Sequence, residues 1–377
     1  MHIPFNKPYL TGRETAALER AFKNLRFAGD GPFTLECARL IENILGCPRA
    51  LLTTSCTHAL EMAALLLDIK PGDEIIAPSF TFVSTVNAFV LRGAKPAFID
   101  IRPHTLNFDE RQFESLITTH TRAAIPVHYA GVACEMDPIL ETAARHGIAV
   151  VEDNAHGLGG SYKGRLLGVL GCLAAQSFHE TKNFSCGEGG ALIVNRRDLI
   201  ERAEIIREKG TNRSRFFRGE VDKYTWVDVG SSYVLGDLLA AFLLAQLEER
   251  ESIQTCRRAL WDYYCINLKG LAASHGIGLP FVPAYCGQAY HMFYLITRSL
   301  AERTALMRHL KQRDIHAVFH YVPLHLSGMG QQFGGRPGQC PVTEDISERL
   351  LRLPFYNAMT RAEQDMVISE ILAFYGA

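Results

Sequence analysis

The stretch Val150-Val151-Glu152-Asp153-Asn154-Ala155-His156 is an apolar run that ends in acids, with a histidine three residues beyond Asp153. A short β-branched run bounded by polar residues reads as a strand buried on both faces. In an open parallel sheet, ligands gather at the carboxyl ends of the strands, which is where Asp153 and His156 would stand. The flanks repeat the theme. Strands expected over 51–53, 74–77, 96–101, 123–128 and 148–152 alternate with helices over 57–67, 81–91, 109–117 and 137–146. That rhythm predicts an α/β fold whose mainly parallel sheet is covered by helices.

Upstream, Thr11 with Glu14 three residues later reads as a capping box, followed by Ala17, Leu18, Ala21, Phe22 and Leu25 on one helical face. Downstream come a strand over 190–194, a helix over 199–209 and a long apolar-faced helix over 235–257. A strand over 292–296 and helices over 301–313 and 361–375 complete the chain. We expect a large domain over 1–250 and a smaller C-terminal α/β domain over 251–377.

Composition narrows the function classes. Hydrophobic residues make up 47% and charged residues 21%, the balance of an ordinary globular protein. With 39 Lys and Arg against 40 Asp and Glu, nothing in the charge recommends nucleic acid or an anionic membrane as a partner. Any anionic ligand must then be held by a local site. The apolar run over 166–175 is too short to span a bilayer, and the N-terminus shows no secretory signal, so a cytoplasmic location is expected. Ten cysteines include no pair at metal or redox spacing, and they read as reduced thiols with no metal site.

Lys182 lies in Ser177-Phe178-His179-Glu180-Thr181-Lys182-Asn183, shortly before Gly187-Glu188-Gly189-Gly190. A desolvated lysine becomes a nucleophile that forms a Schiff base with an aldehyde cofactor. An acid such as Asp153 can keep that cofactor's ring nitrogen protonated and the ring an electron sink. Lysine and acid together point to pyridoxal 5'-phosphate, with pyridoxamine 5'-phosphate as its alternate form. Taken alone, Lys182 reads as a surface lysine and Asp153 as a helix cap. His156 is placed to meet the ring hydroxyl.

Other strand ends supply candidates, each with a plainer reading beside it. Ser55, Cys56 and Thr57 follow a strand and open a helix, a site for a phosphate dianion or simply a cap. His128 and Tyr129, at the end of 124–129, line the crevice or pack against the turn. Phe82 stacks on a cofactor ring or packs in the core. Arg213, Arg215 and Arg218 meet a nucleotide pyrophosphate or belong to a solvated loop.

In this order these residues resemble the DegT/StrS family of pyridoxal phosphate-dependent sugar aminotransferases, over nearly the whole chain. The segments Ser177-Phe178…Lys182 and Val151-Glu152-Asp153-Asn154-Ala155-His156 match shared family motifs. The resemblance implies the aspartate aminotransferase type of fold (PLP fold type I). It makes Lys182 the Schiff-base lysine, Asp153 the pyridinium partner, His156 the neighbour of the ring hydroxyl and Ser177 a phosphate ligand. It also supports Phe82 as the stacking residue. Longer strings, Thr54 to Asp68, Pro126 to Asp137 and Arg207 to Arg213, are similar to a nucleotide-sugar subgroup of the family. A nucleotide 4-keto sugar and glutamate are therefore the expected substrates.

The chain departs from many relatives in two places. Ser55-Cys56-Thr57 stands where many have Asn-Gly-Thr, and Gly230-Ser231-Ser232-Tyr233 has Ser232 where many have an Asn that reaches the neighbouring subunit's cofactor phosphate. A homodimer with shared sites is implied. His320-Tyr321-Val322-Pro323-Leu324-His325 is similar to a segment at the family's active-site mouth, which brings in Tyr321 and His325, or else is a packed loop. Related sugar dehydratases have His at the lysine position, which Lys182 argues against. A cofactor-free regulator on the same fold is the alternative from another class.

Overall fold

The computed structural model describes residues 2–376. Its main sheet is built from β1 (Arg49–Thr53), β2 (Glu74–Pro78), β3 (Lys95–Ile99), β4 (Thr121–Ala124) and β5 (Ala149–Asp153). After a small ribbon, β6 (Ser161–Tyr162) and β7 (Arg165–Leu166), come its last strands, β8 (Leu173–Ser177) and β9 (Gly190–Val194). The order is β1-β9-β8-β5-β4-β2-β3. Strands β3, β2, β4, β5 and β8 run parallel, whereas β9 is antiparallel to both of its neighbours.

The seven strands are buried on both faces, and alternate residues feed two different cores. Leu51, Leu173, Ala175, Leu192 and Val194 pack with the helix Cys56–Leu66 on one face. Ala50, Leu52, Ala174, Ala191 and Ile193 pack on the other face with the helices Glu14–Asn24, Pro32–Leu45 and Asp237–Glu248. This two-sided burial explains why the strands read as unbroken apolar runs.

The C-terminal part has its own core around Tyr264, Leu268, Phe293, Leu306, Leu310, Leu351 and Ile371. Here β10 (Cys286–Gly287) joins the ribbon, and β11 (Tyr294–Ile296), β12 (Val318–Phe319) and β13 (Leu350–Arg352) form a small sheet in the order β11-β13-β12. Ile3 bridges to Ile315 and packs in this core, so the N-terminal residues belong with the C-terminal part. A further cluster, including Phe80, Tyr129, Met292 and Tyr294, joins residues of both parts.

Two expectations at element level are corrected. The single helix over 235–257 is instead Asp237–Glu248 followed by Arg250–His275, broken at Glu249. Thr11 is not an N-cap. The Glu14 carboxylate accepts from the Thr11 amide and hydroxyl before the helix starts at Glu14, and Phe22 and Leu25 are exposed.

Candidate functional site

Register carries the polar strand ends to one edge of the sheet. Thr53, Gly190 and Ser177 pair in one row across β1, β9 and β8, and Asp153 on β5 pairs with Ala175 one strand over. Adjacent strands lie about 5 Å apart, so these ends share one crevice. A Cβ on Gly190 would fall 2.4 Å from the Cys56 nitrogen, so only glycine lets β9 pass this close beneath the turn. Above that edge is a cavity of about 480 Å³. Lys182, Asp153, His156, Ser177, Ser55, Cys56, Thr57, Phe82 and Tyr321 all line it.

At one end of the cavity stands the N-terminus of the helix Cys56–Leu66. Ser55 is its N-cap, accepting from the His58 amide at 3.1 Å. The first amides of a helix have no intrahelical acceptor and favour an anion. Ser177 projects from the strand end nearby. Thr57 Oγ1 donates to Ser84 Oγ at 2.8 Å.

Asp153 is buried and fixed by two donors. Thr85 Oγ1 donates to its Oδ2 at 2.7 Å and the Ala155 amide to its Oδ1 at 3.1 Å. Thr85 is itself tied to Thr81 at 2.8 Å. His156 stacks on His291 with centroids 4.1 Å apart and planes at 16°, and its buried Nδ1 has no partner. Burial, with Lys182 and Arg352 close by, pushes the His156 imidazole well below the usual histidine range. It is neutral at physiological pH.

Lys182 lies in the loop that joins β8 to β9. The loop is closed by paired amides, Phe178 to Gly189 at 2.8 Å and Glu180 to Gly187 at 2.9 Å, and its own amide donates to His179 at 2.9 Å. Burial lowers the Lys182 ammonium to about 8, while the Cys56 thiol and Asp153 act the other way and Arg352 lowers it further. Next to it, Asn183 donates to the Ala289 carbonyl at 2.6 Å and pairs with His291 at 2.9 Å, which pins the loop to the C-terminal part.

Several candidates are placed elsewhere. His128 is fully buried between Glu152, at 2.9 Å, and the Cys134 amide, at 3.2 Å, beneath the crevice. His325 is likewise consumed by Ser79 at 2.6 Å and Glu344 at 2.9 Å. Tyr129 sits one layer behind the wall, with its hydroxyl 2.9 Å from His320 Nδ1. Arg213 pairs with Glu208 and lies over the rings of Phe217 and Tyr224, away from the cavity. Arg218 is held by Glu204 at 2.7 Å and Glu220 at 2.6 Å. Ser232 is exposed, bridged through its backbone to Glu208. Phe82 lines the cavity but is 58% exposed.

The structure also adds residues to the wall that the sequence did not single out: Thr81, His291, His320 and Arg352. Thr81 and Thr85, spaced four apart after a strand end, were a readable signal. The other three come from the C-terminal part, more than a hundred residues from the motifs they join.

Fold and cavity together define an aminotransferase-type α/β protein. The chain belongs to the DegT/DnrJ/EryC1/StrS aminotransferase family, which it matches over residues 8–372. It is 35% identical over 337 residues to the uncharacterized protein MJ1066 of Methanocaldococcus jannaschii, covering 88% of this chain and 86% of that one. Among solved structures it is similar to DesV of S. venezuelae, at 31% identity and TM-score 0.91, covering 100% of this chain and 99% of that one. It is also similar to Spr1654 of Streptococcus pneumoniae, at 25% identity and TM-score 0.92, covering 100% and 98%. Spr1654 has been solved in PLP and PMP forms as well. Among the described residues no helix is long and apolar enough to cross a membrane.

Proposed function

We propose that this chain is a pyridoxal phosphate-dependent nucleotide-sugar aminotransferase. The observation that carries the reading is one cavity lined by Lys182, with its ammonium lowered to about 8, together with Asp153, His156 and the helix start at Ser55 to Thr57. The donor set fits the coenzyme end to end. Free helix amides with Ser55, Thr57 and Ser177 suit the phosphate, the fixed carboxylate of Asp153 suits the ring nitrogen, and the unpartnered Nδ1 of His156 suits the ring hydroxyl.

When bound, the coenzyme supplies a carbonyl carbon for amines and a ring that accepts an electron pair. The protein's part is positioning and proton transfer. Asp153, held by Thr85 and Ala155, would keep a proton on the ring nitrogen. Neutral His156 would hold the ring hydroxyl without adding charge beside Lys182. Lys182 Nζ would hold the coenzyme's carbonyl carbon and, as a free amine, would move a proton at the carbon that bears the donor nitrogen. At pH 7 roughly a tenth of a pKa-8 amine is already neutral, against a negligible fraction for a surface lysine.

The strings Pro126 to Asp137 and Arg207 to Arg213 resemble those of dTDP-4-amino-4,6-dideoxygalactose transaminase, which serves enterobacterial common antigen synthesis. We therefore assign dTDP-4-dehydro-6-deoxy-D-glucose as acceptor and L-glutamate as donor, giving dTDP-4-amino-4,6-dideoxy-D-galactose and 2-oxoglutarate. We also propose a homodimer. Phe217, Tyr224, Trp226 and Val227 are exposed on the segment that carries Ser232, an apolar surface that a second copy would cover. The test is incubation with glutamate and a panel of nucleotide 4-keto sugars, with carbon-4 configuration read by NMR. An axial 4-amine on the dTDP sugar supports the assignment. Turnover of a different keto sugar alone would replace the substrate, and absence of any amine product would reject the activity.

A further inference from the structure

The N-terminal residues meet the C-terminal part through one isolated parallel bridge, Ile3 to Ile315. The Ile3 amide donates to the Asp314 carbonyl and the His316 amide to the Ile3 carbonyl, both at 2.9 Å. Both isoleucines are fully buried in the C-terminal core, which fixes this register. Their chain neighbours His2, Asp314 and His316 are left together on the outer surface. His2 Nδ1 lies 2.8 Å from Asp314 Oδ1, and His316 Nε2 lies 3.7 Å from the same oxygen. The two imidazoles meet edge to face with centroids 5.0 Å apart, and the ligand atoms of all three residues lie within 4.8 Å of one another.

Zinc binds imidazole nitrogen and carboxylate oxygen at about 2.0–2.2 Å, which sets tetrahedral ligand atoms about 3.3 Å apart. The contacts at 2.8 and 3.7 Å bracket that spacing. The side chains are half-exposed, so small rotations close the set and water completes the coordination. Two imidazoles with one carboxylate favour Zn²⁺ over Mg²⁺ or Ca²⁺, which take oxygen shells. The plainer reading is an exposed ion pair between His2 and Asp314, which would contribute little to stability. That pair accounts for the 2.8 Å contact but gives His316 no reason to stand at the same carboxylate. Cysteine spacing predicts no metal site, and no local motif marks this one, because its first two ligands are 312 positions apart in the chain.

We propose that His2, Asp314 and His316 form a surface site for Zn²⁺ that clips the N-terminal segment to the C-terminal part. None of the three lines the cavity, and the proposal is independent of the aminotransferase reading. A proton on His2 Nδ1 can bridge the pair with Asp314; the cation takes its place, and that proton is released. The segment so fastened does reach the cavity, where Phe5 and Asn6 belong to the wall. The Phe5 carbonyl accepts from the Phe355 amide at 3.2 Å, so the clip and this bond hold the segment at both ends.

The test uses the full chain without an affinity tag, stripped by a chelator and titrated with zinc chloride by calorimetry. One Zn²⁺ per chain should bind with Kd on the order of 10 µM or tighter. H2A and H316A should each weaken binding on the order of a hundredfold and D314N on the order of tenfold, whereas H120A, at an exposed histidine elsewhere, should leave it unchanged. Magnesium chloride should not compete. In hydrogen exchange followed by mass spectrometry, the amides over residues 3–6 should slow about tenfold at free zinc about ten times Kd. The same segment should be insensitive to zinc in H316A. Absence of zinc binding, zinc binding retained in both H2A and H316A, equal competition by magnesium, or binding without slower exchange in the segment would each overturn the clip.

Discussion

Lys182 illustrates how a common residue acquires chemistry. Nothing in its own type distinguishes it from the other lysines, yet burial in the β8–β9 loop lowers its ammonium to about 8. Apo protein mixed with pyridoxal phosphate across about pH 6 to 10 should trap the aldehyde with a midpoint near 8, instead of near about 10.4 as for free lysine. A midpoint near the free value would show that the amine is solvated. Thr85 makes a second test at this scale. Its hydroxyl holds Asp153 Oδ2 at 2.7 Å, so T85V should weaken coenzyme binding on the order of tenfold in a fluorescence titration. Unchanged affinity would mean that Asp153 needs no such support. Asp153 and His156 stood out because they close the run that forms β5, whereas Lys182, in the β8–β9 loop, stood out through its segment and its pairing with Asp153. The spacing of Thr81 and Thr85 was a readable signal, but that Thr85 holds Asp153 was not, because that contact spans the fold.

At the scale of elements, the end of β5 depends on a charge buried beneath it. Burial alone would raise the Glu152 carboxyl, but hydrogen bonds from His128 and from the amides of Gly168, Leu170 and Gly171 hold it below its ordinary value. This contribution to stability is complete above about pH 4.5 and is lost as pH falls through the lowered folded value. E152Q should cost about 3 kcal/mol in denaturant unfolding at neutral pH, with the gap to the natural chain narrowing in acid. A constant gap at both pH values would contradict the linkage. The sequence expected a strand reaching His128, whereas β4 ends at Ala124, and it could not show that the partner of His128 was Glu152 on β5. The same limit explains the broken helix at Glu249: its apolar face runs on through the interruption, so periodicity alone could not mark it. We propose that the boundary between the two parts lies at that break.

For the whole molecule, the alternation of strand and helix was enough to read an α/β fold with a mainly parallel sheet, because each buried strand declares itself by its apolar run. The antiparallel entry of β9 and the return of Ile3 to the C-terminal core were not legible, since strand direction and long-range pairing leave no local pattern. In the homodimer we propose, Ser232 and the exposed Trp226, 77% accessible, would face the second copy. W226E should shift sedimentation toward monomer and weaken coenzyme binding with it; an unchanged oligomer would place the interface elsewhere. The claim on which the rest depends is that Lys182 is the residue that holds the coenzyme. Borohydride reduction of the loaded protein, followed by peptide mass mapping, should find one phosphopyridoxyl group per chain, on Lys182. An adduct on another lysine, or none, would contradict the account.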